Sequence, residues 1–136
     1  MDVSKLMRSF AAKTNPNDSA QWLPLWMHAQ DTAGIMEKLW KHWLPAAVRR
    51  EICGGSEEAL QENEALFQKV CVFLGMAHDI GKATAVFQAR ILEMLPEVRE
   101  RLAEEVLEIP SDAESKRIFN VPHALAGQVI LRDLHV

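Results

Sequence analysis

A chain of 136 residues that is 49% hydrophobic and 25% charged has the size and composition of one globular domain with a single core, which excludes a disordered or collagen-like protein. A formal charge of −4 speaks against a freestanding basic nucleic-acid-binding face. The start, Met1-Asp2-Val3-Ser4-Lys5, lacks the apolar core of a signal peptide, and no apolar run approaches the roughly 20 residues of a membrane helix, so a cytoplasmic protein with no membrane partner is expected.

The apolar periodicity is helical from end to end, with no convincing period-2 strand, and the expected fold class is all-α. A short amphipathic segment, Ser4–Ala12, leads into a polar turn over Thr14–Ser19. A helix from about Pro24 to Trp43 follows, with His28, Thr32, Ile35 and Leu39 on one inward face. Pro45 opens a short helix that Gly54-Gly55 stops. Ser56 caps the next, with Glu57 and Glu58 in its positive first turn. The second half of that helix, Leu66–Ala77, is apolar on most sides and reads as the central buried helix, with Cys71 a buried reduced thiol. Ala83–Leu95 is a further helix stopped by Pro96, and Glu97–Leu107 a charged, solvated one. Ser111 and Glu114 form a capping box for a short helix ending near Val121, before Pro122. The last helix starts at His123. The sequence then stops at Asp133-Leu134-His135-Val136, inside an apolar helical pattern and with no stop signal, which implies a domain incomplete at its C-terminus.

The chemistry concentrates in Ala77-His78-Asp79-Ile80-Gly81-Lys82. Adjacent His and Asp put a borderline imidazole nitrogen beside a hard carboxylate oxygen, a donor pair suited to Mn, Fe, Co, Ni or Zn ions. Gly81 would ease a tight break after the helix, and Lys82 would add a cation able to face a phosphate. His28, on the inward face, is either a third ligand or a core histidine bonded to backbone. His123 is a ligand or a solvent-facing first-turn residue. Asp31 either orients a ligand's second nitrogen or is an exposed helical carboxylate. His42, between Lys41 and Trp43, suits the surface, and Trp22, Trp26, Trp40 and Trp43 suit packing better than base stacking.

Taken together, His28-Ala29-Gln30-Asp31, Gly75-Met76-Ala77-His78-Asp79-Ile80-Gly81-Lys82-Ala83-Thr84, Phe87-Gln88 and His123-Ala124-Leu125-Ala126-Gly127 resemble the HD superfamily of metal-dependent phosphohydrolases. They are most similar to the HD nuclease domain of the CRISPR-associated helicase-nuclease of type I systems. The extension through Lys82 to Phe87-Gln88 selects that branch, and the resemblance runs from about His28 to the end. It implies an HD-domain helical bundle, with residues 1–136 as its N-terminal part. It implies two metal ions, the first held by His28, His78 and Asp79, the second by His123 with Asp79 bridging, and a phosphate-stabilising role for Lys82. The implied substrate is single-stranded DNA in antiviral defence, delivered by a helicase domain of the same polypeptide and a CRISPR surveillance complex. The family's later paired-histidine motif, its later aspartate and the helicase phosphate loop do not occur in this sequence, so the isolated piece is expected to self-associate through uncovered apolar helices. A small HD phosphohydrolase acting on nucleotides, or a non-catalytic fragment that keeps the fold, are the alternative readings.

Overall fold

In the computed structural model the described residues are 4–15, 17–104, 110 and 122–134. Their order is α1 (Lys5–Ser9), β1 (Ala11–Asn15), β2 (Asp18–Pro24), α2 (Leu25–Lys38), a π-helical turn (Leu39–Trp43), α3 (Ala46–Cys53), α4 (Glu57–Ala77), a 3₁₀ turn (Ile80–Ala83), α5 (Ala85–Leu92), α6 (Pro96–Glu104) and α7 (His123–Asp133). The capping box at Ser111 and Glu114 lies outside the described residues. No helix among those described is long and apolar enough to cross a membrane. The chain divides into two compact units, Met1–His28 with His78–Val136, and Ala29–Ala77.

The first unit corrects the reading of its N-terminus as helix and turn. Ser4 caps α1 by accepting the Met7 N–H at 3.3 Å, but the helix ends at Ser9, and β1 and β2 form an antiparallel hairpin. The chain reverses between Asn15 and Asp18, which pair with each other, but Thr14, Asn15, Asp18 and Ser19, expected in a turn, belong to the strands. The strands escape a pattern search because their register shifts twice, between Ala11 and Lys13 and between Thr14 and Asn15, which breaks the alternation of faces. Ala11, Leu92, Leu95, Val98 and Leu102 form the core, with Leu6, Phe10, Trp22 and Ile91 packed on it. Pro96 opens α6 rather than ending the helix before it, which runs over Ala85–Leu92 and not the expected Ala83–Leu95. Val98 and Leu102, four apart, turn α6 into an amphipathic core helix rather than a wholly solvated one.

In the second unit the breaks fall where the sequence puts them. Pro45 precedes α3, and Gly54 and Gly55 end it at φ +126° and +85°, a region that favours glycine. Ser56 accepts the Ala59 N–H at 3.1 Å. Arg49 donates to Glu64 at 2.7 Å and the Asn63 amide donates to the Cys53 carbonyl at 3.1 Å, fastening α3 to α4. Gly75 lets α2 close in: an added Cβ would overlap Met36 Cγ and come within 3.5 Å of the Thr32 carbonyl. The face of α2 turned to α4 is therefore that of Thr32 and Met36, while Ile35 and Leu39, expected to point inward, are exposed. Nor is the second half of α4 a buried helix. Only Gly75 and Ala77 are buried along it, and Leu66, Val70, Phe73, Leu74 and Met76 are exposed, because the small residues occupy the packed face. Cys53 is the buried cysteine and Cys71 is half-buried; both are free thiols. Trp40 is buried, whereas Trp43 is 72% exposed beside an exposed His42.

Candidate metal centre

His78 follows directly on the last residue of α4, and Asp79 opens the 3₁₀ turn by accepting the Lys82 N–H at 2.9 Å. Gly81 accepts the Thr84 hydroxyl at 2.9 Å, which fixes the exit of the turn into α5. The short turn throws the Asp79 and Lys82 side chains to one side, where both are buried and the ammonium lies 2.7 Å from Asp79 Oδ2. Lys82, expected to present a free cation, is thus ion-paired to the motif's own carboxylate. His28 brings Nε2 to 2.9 Å from the same oxygen, and His78 brings Nε2 to 3.3 Å. The other oxygen, Oδ1, faces His123 Nε2 at 3.2 Å. The carboxylate is therefore divided, with His28, His78 and Lys82 on one oxygen and His123 on the other.

Burial grades across the group. The His28 side chain is 17% exposed and Asp79 10%, whereas His78 is 45% and His123 40% exposed, so the cluster opens to solvent on the His78 and His123 side. Burial raises the Asp79 carboxyl, but the Lys82 hydrogen bond and charge, the His78 charge and the His28 hydrogen bond outweigh it and hold the group below the ordinary aspartate value. Asp79 is accordingly an anion at neutral pH. The His28 and His78 rings, fifty positions apart in sequence, meet edge to face with centroids 5.5 Å apart. Asp31, a candidate for orienting a ligand, is exposed.

One ligand atom from each of His28, His78 and Asp79 lies within 4.8 Å of the others. Ligands around one ion, at bonds near 2 Å, stand about 3–4 Å apart, so small side-chain shifts close this set on a transition ion, and the two-nitrogen, one-carboxylate donor set suits it. Three donors leave coordination positions for water or substrate. The residues fit a metal ion.

Three contributors escape a reading of the sequence by residue chemistry. Phe87 stacks edge to face on His123, centroids 5.5 Å apart, with Lys82 Nζ 5.8 Å from its ring centre, so one ring packs against both side chains. Gln88 is fully buried under the turn. Gly81 needs no unusual φ, contrary to its expected role in a tight break. Its job is proximity: an added Cβ would overlap the His123 carbonyl oxygen and sit 2.5 Å from the Gly127 nitrogen. Gly81 and Gly127 together let α7 press its backbone onto the motif turn, and this delivers His123 to Asp79. The glycines were visible in the sequence, but not that they meet.

Residues 12–135 match the family described as Cas3, HD domain. The CRISPR-associated nuclease/helicase Cas3 of Streptococcus thermophilus is 32% identical over 127 residues, covering 90% of this chain and 14% of that protein. The chain thus spans only a small part of the length of this relative. No solved structure matches it. The matched segment takes in the motif turn and α7, and with them every residue gathered around Asp79: the chain belongs to the Cas3 HD-domain family.

Proposed function

We propose that this chain is the N-terminal part of a metal-dependent nuclease domain that hydrolyses phosphodiester bonds of single-stranded DNA in CRISPR interference. The observation that carries the reading is the divided carboxylate of Asp79, with His28 and His78 on one oxygen and His123 on the other. In this assignment His28, His78 and Asp79 hold one transition ion, and Asp79 with His123 contributes to a second. The candidates by donor chemistry are Mn, Fe, Co, Ni and Zn. Such ions, when bound, activate a water and stabilise charge on the phosphate and the leaving oxygen.

The chain's own residues do the rest. Asp79, kept ionised by its neighbours, supplies the negative charge that a dication requires. Lys82, paired with the same carboxylate, keeps a positive charge beside the metal position, where it would stabilise charge on a phosphate bound there. His78 and His123 form that open side. The mildly acidic surface offers a strand little attraction, so delivery falls to a helicase domain and a surveillance complex, in keeping with the helicase part that the name of the Streptococcus relative records. A cytoplasmic location goes with these partners.

The test is cleavage of single-stranded DNA by the chain with Mn²⁺ or Co²⁺, alongside duplex DNA and free nucleotides. Metal-dependent cutting of the single strand, lost with a chelator and with Asp79→Ala, is the expected result. Turnover of free nucleotides with no action on DNA would replace this reading with that of a nucleotide phosphohydrolase.

A further inference from the structure

Gln88 is a fully buried polar side chain on α5 whose hydrogen bonds, among the described residues, go to backbone. Its Oε1 accepts the Ala11 N–H at 3.0 Å, while its Nε2 donates to the Ala11 carbonyl at 2.9 Å and to the Lys82 carbonyl at 2.7 Å. Ala11 is paired in register with Pro24, which has no N–H to give, and the neighbouring Leu25 donates to Phe10 instead. The primary amide therefore completes β1 as a strand partner would, and its remaining hydrogen reaches the motif turn. Few side chains could do this: the site needs one acceptor and two donors on a planar group of this length, which glutamine has and glutamate, methionine and leucine lack.

The consequence falls on Lys82. Its N–H is committed to Asp79 O, and the preceding carbonyl, that of Gly81, takes the Thr84 hydroxyl. The Gln88 bond fixes the one remaining peptide group at Lys82, its carbonyl. With its backbone held on both sides, the lysine aims its ammonium at Asp79 with little freedom to swing out to solvent. We propose that Gln88 is the positioning residue of this centre: by bridging Ala11 of the N-terminal hairpin to the Lys82 carbonyl, it keeps Lys82 on Asp79 and the motif turn in ligand-holding shape. The part that concerns metal rests on the function proposed above; the part that concerns Lys82 does not.

The experiment uses Gln88→Glu and Gln88→Met, which keep the side-chain length but remove both donors or all the polar atoms. Val98→Ala, a core substitution on α6 that leaves the Gln88 amide and its partners chemically intact, controls for general loosening. The first readout needs no metal: acylation of lysines by a water-soluble active ester, followed by peptide mass spectrometry under native conditions. In the parent chain and in Val98→Ala, Lys82 is expected to react at least tenfold more slowly than exposed Lys41. In the Gln88 variants Lys82 should approach the rate of Lys41, whose own rate stays the same. The second readout is titration with Co²⁺ alone, followed by its visible spectrum, where the Gln88 variants should bind at least tenfold more weakly or with altered bands. Lys82 rates equal in the parent and in folded Gln88 variants would overturn the proposal, as would equal loss of protection in Val98→Ala. Failure of both Gln88 variants to fold would overturn it too, by making Gln88 a requirement of the fold. A parent chain that binds no Co²⁺ would defeat the metal reading, and the acylation rates would still decide the role of Gln88.

Discussion

Gly81→Ala separates close packing from backbone freedom as the reason for glycine in the motif turn. The new methyl carbon would overlap the His123 carbonyl oxygen and stand 2.5 Å from the Gly127 nitrogen and 2.8 Å from the His123 carbonyl carbon. All three obstacles are backbone, so no rotamer change relieves them. Restoring ordinary contact near 3.5 Å requires α7 to retreat by roughly 1 Å or more. That carries His123 Nε2 from 3.2 Å to beyond about 4 Å from Asp79 Oδ1. Overpacking of this kind costs about 1–3 kcal/mol, and the backbone-on-backbone clash puts Gly81→Ala at the upper end, about 3 kcal/mol. Gly127→Ala is the control. Its Cβ would meet Gly81 N at 3.2 Å and Ile80 Cγ2 at 3.3 Å, which a shift of a few tenths of an ångström relieves. That smaller cost is offset by the gain of about 0.5–1 kcal/mol from alanine in a helix interior. Denaturant unfolding should thus show a large loss for Gly81→Ala and almost none for Gly127→Ala, and Co²⁺ titration should show weakened binding for the first alone. Parent-like stability of Gly81→Ala, or the reverse order of the two, would refute the packing argument.

Further expectations follow from the ion pair at the centre. Asp79→Asn leaves the buried Lys82 ammonium without its counter-charge and should destabilise the chain by about 3 kcal/mol, and the double variant Asp79→Asn, Lys82→Met should recover much of that in urea unfolding. Because the folded-state value of Asp79 lies below its unfolded one, the group's contribution to stability is complete above the unfolded aspartate range and is lost as pH falls through the folded value; acid titration of the parent should show this loss below about pH 4, and Asp79→Asn should lack it. Leu66, Val70, Phe73 and Leu74 leave α4 with an exposed apolar surface, so light scattering should find the isolated chain self-associated at micromolar concentration, and a strict monomer would contradict that.

What the sequence made legible was local chemistry. Pro45, Gly54-Gly55 and Ser56 act on the residues beside them, and the helix boundaries they mark are found in place. The His78-Asp79 pair is legible for the same reason, since adjacency alone puts its two donors together. Long-range geometry was not. The hairpin is held by pairing with a doubly shifted register and by the Gln88 amide, 77 positions from Ala11, and no periodicity records either. Lys82 read as a free cation because its burial against Asp79 depends on the turn, on Phe87 and on α7. The apolar run of Leu66–Ala77 suggested a buried helix, yet the packed face of α4 belongs to Gly75 and Ala77, where small size rather than hydrophobicity permits contact.

Metal content tests the central claim most directly. The chain is purified, exchanged into Mn²⁺ or Co²⁺, freed of unbound ion and analysed for element per polypeptide, beside Asp79→Ala with its helix content checked by circular dichroism. The account predicts at least one tightly held ion per parent chain and none in the variant. An equal metal content in a folded Asp79→Ala would contradict it, because Asp79 is the carboxylate that His28, His78 and His123 all face.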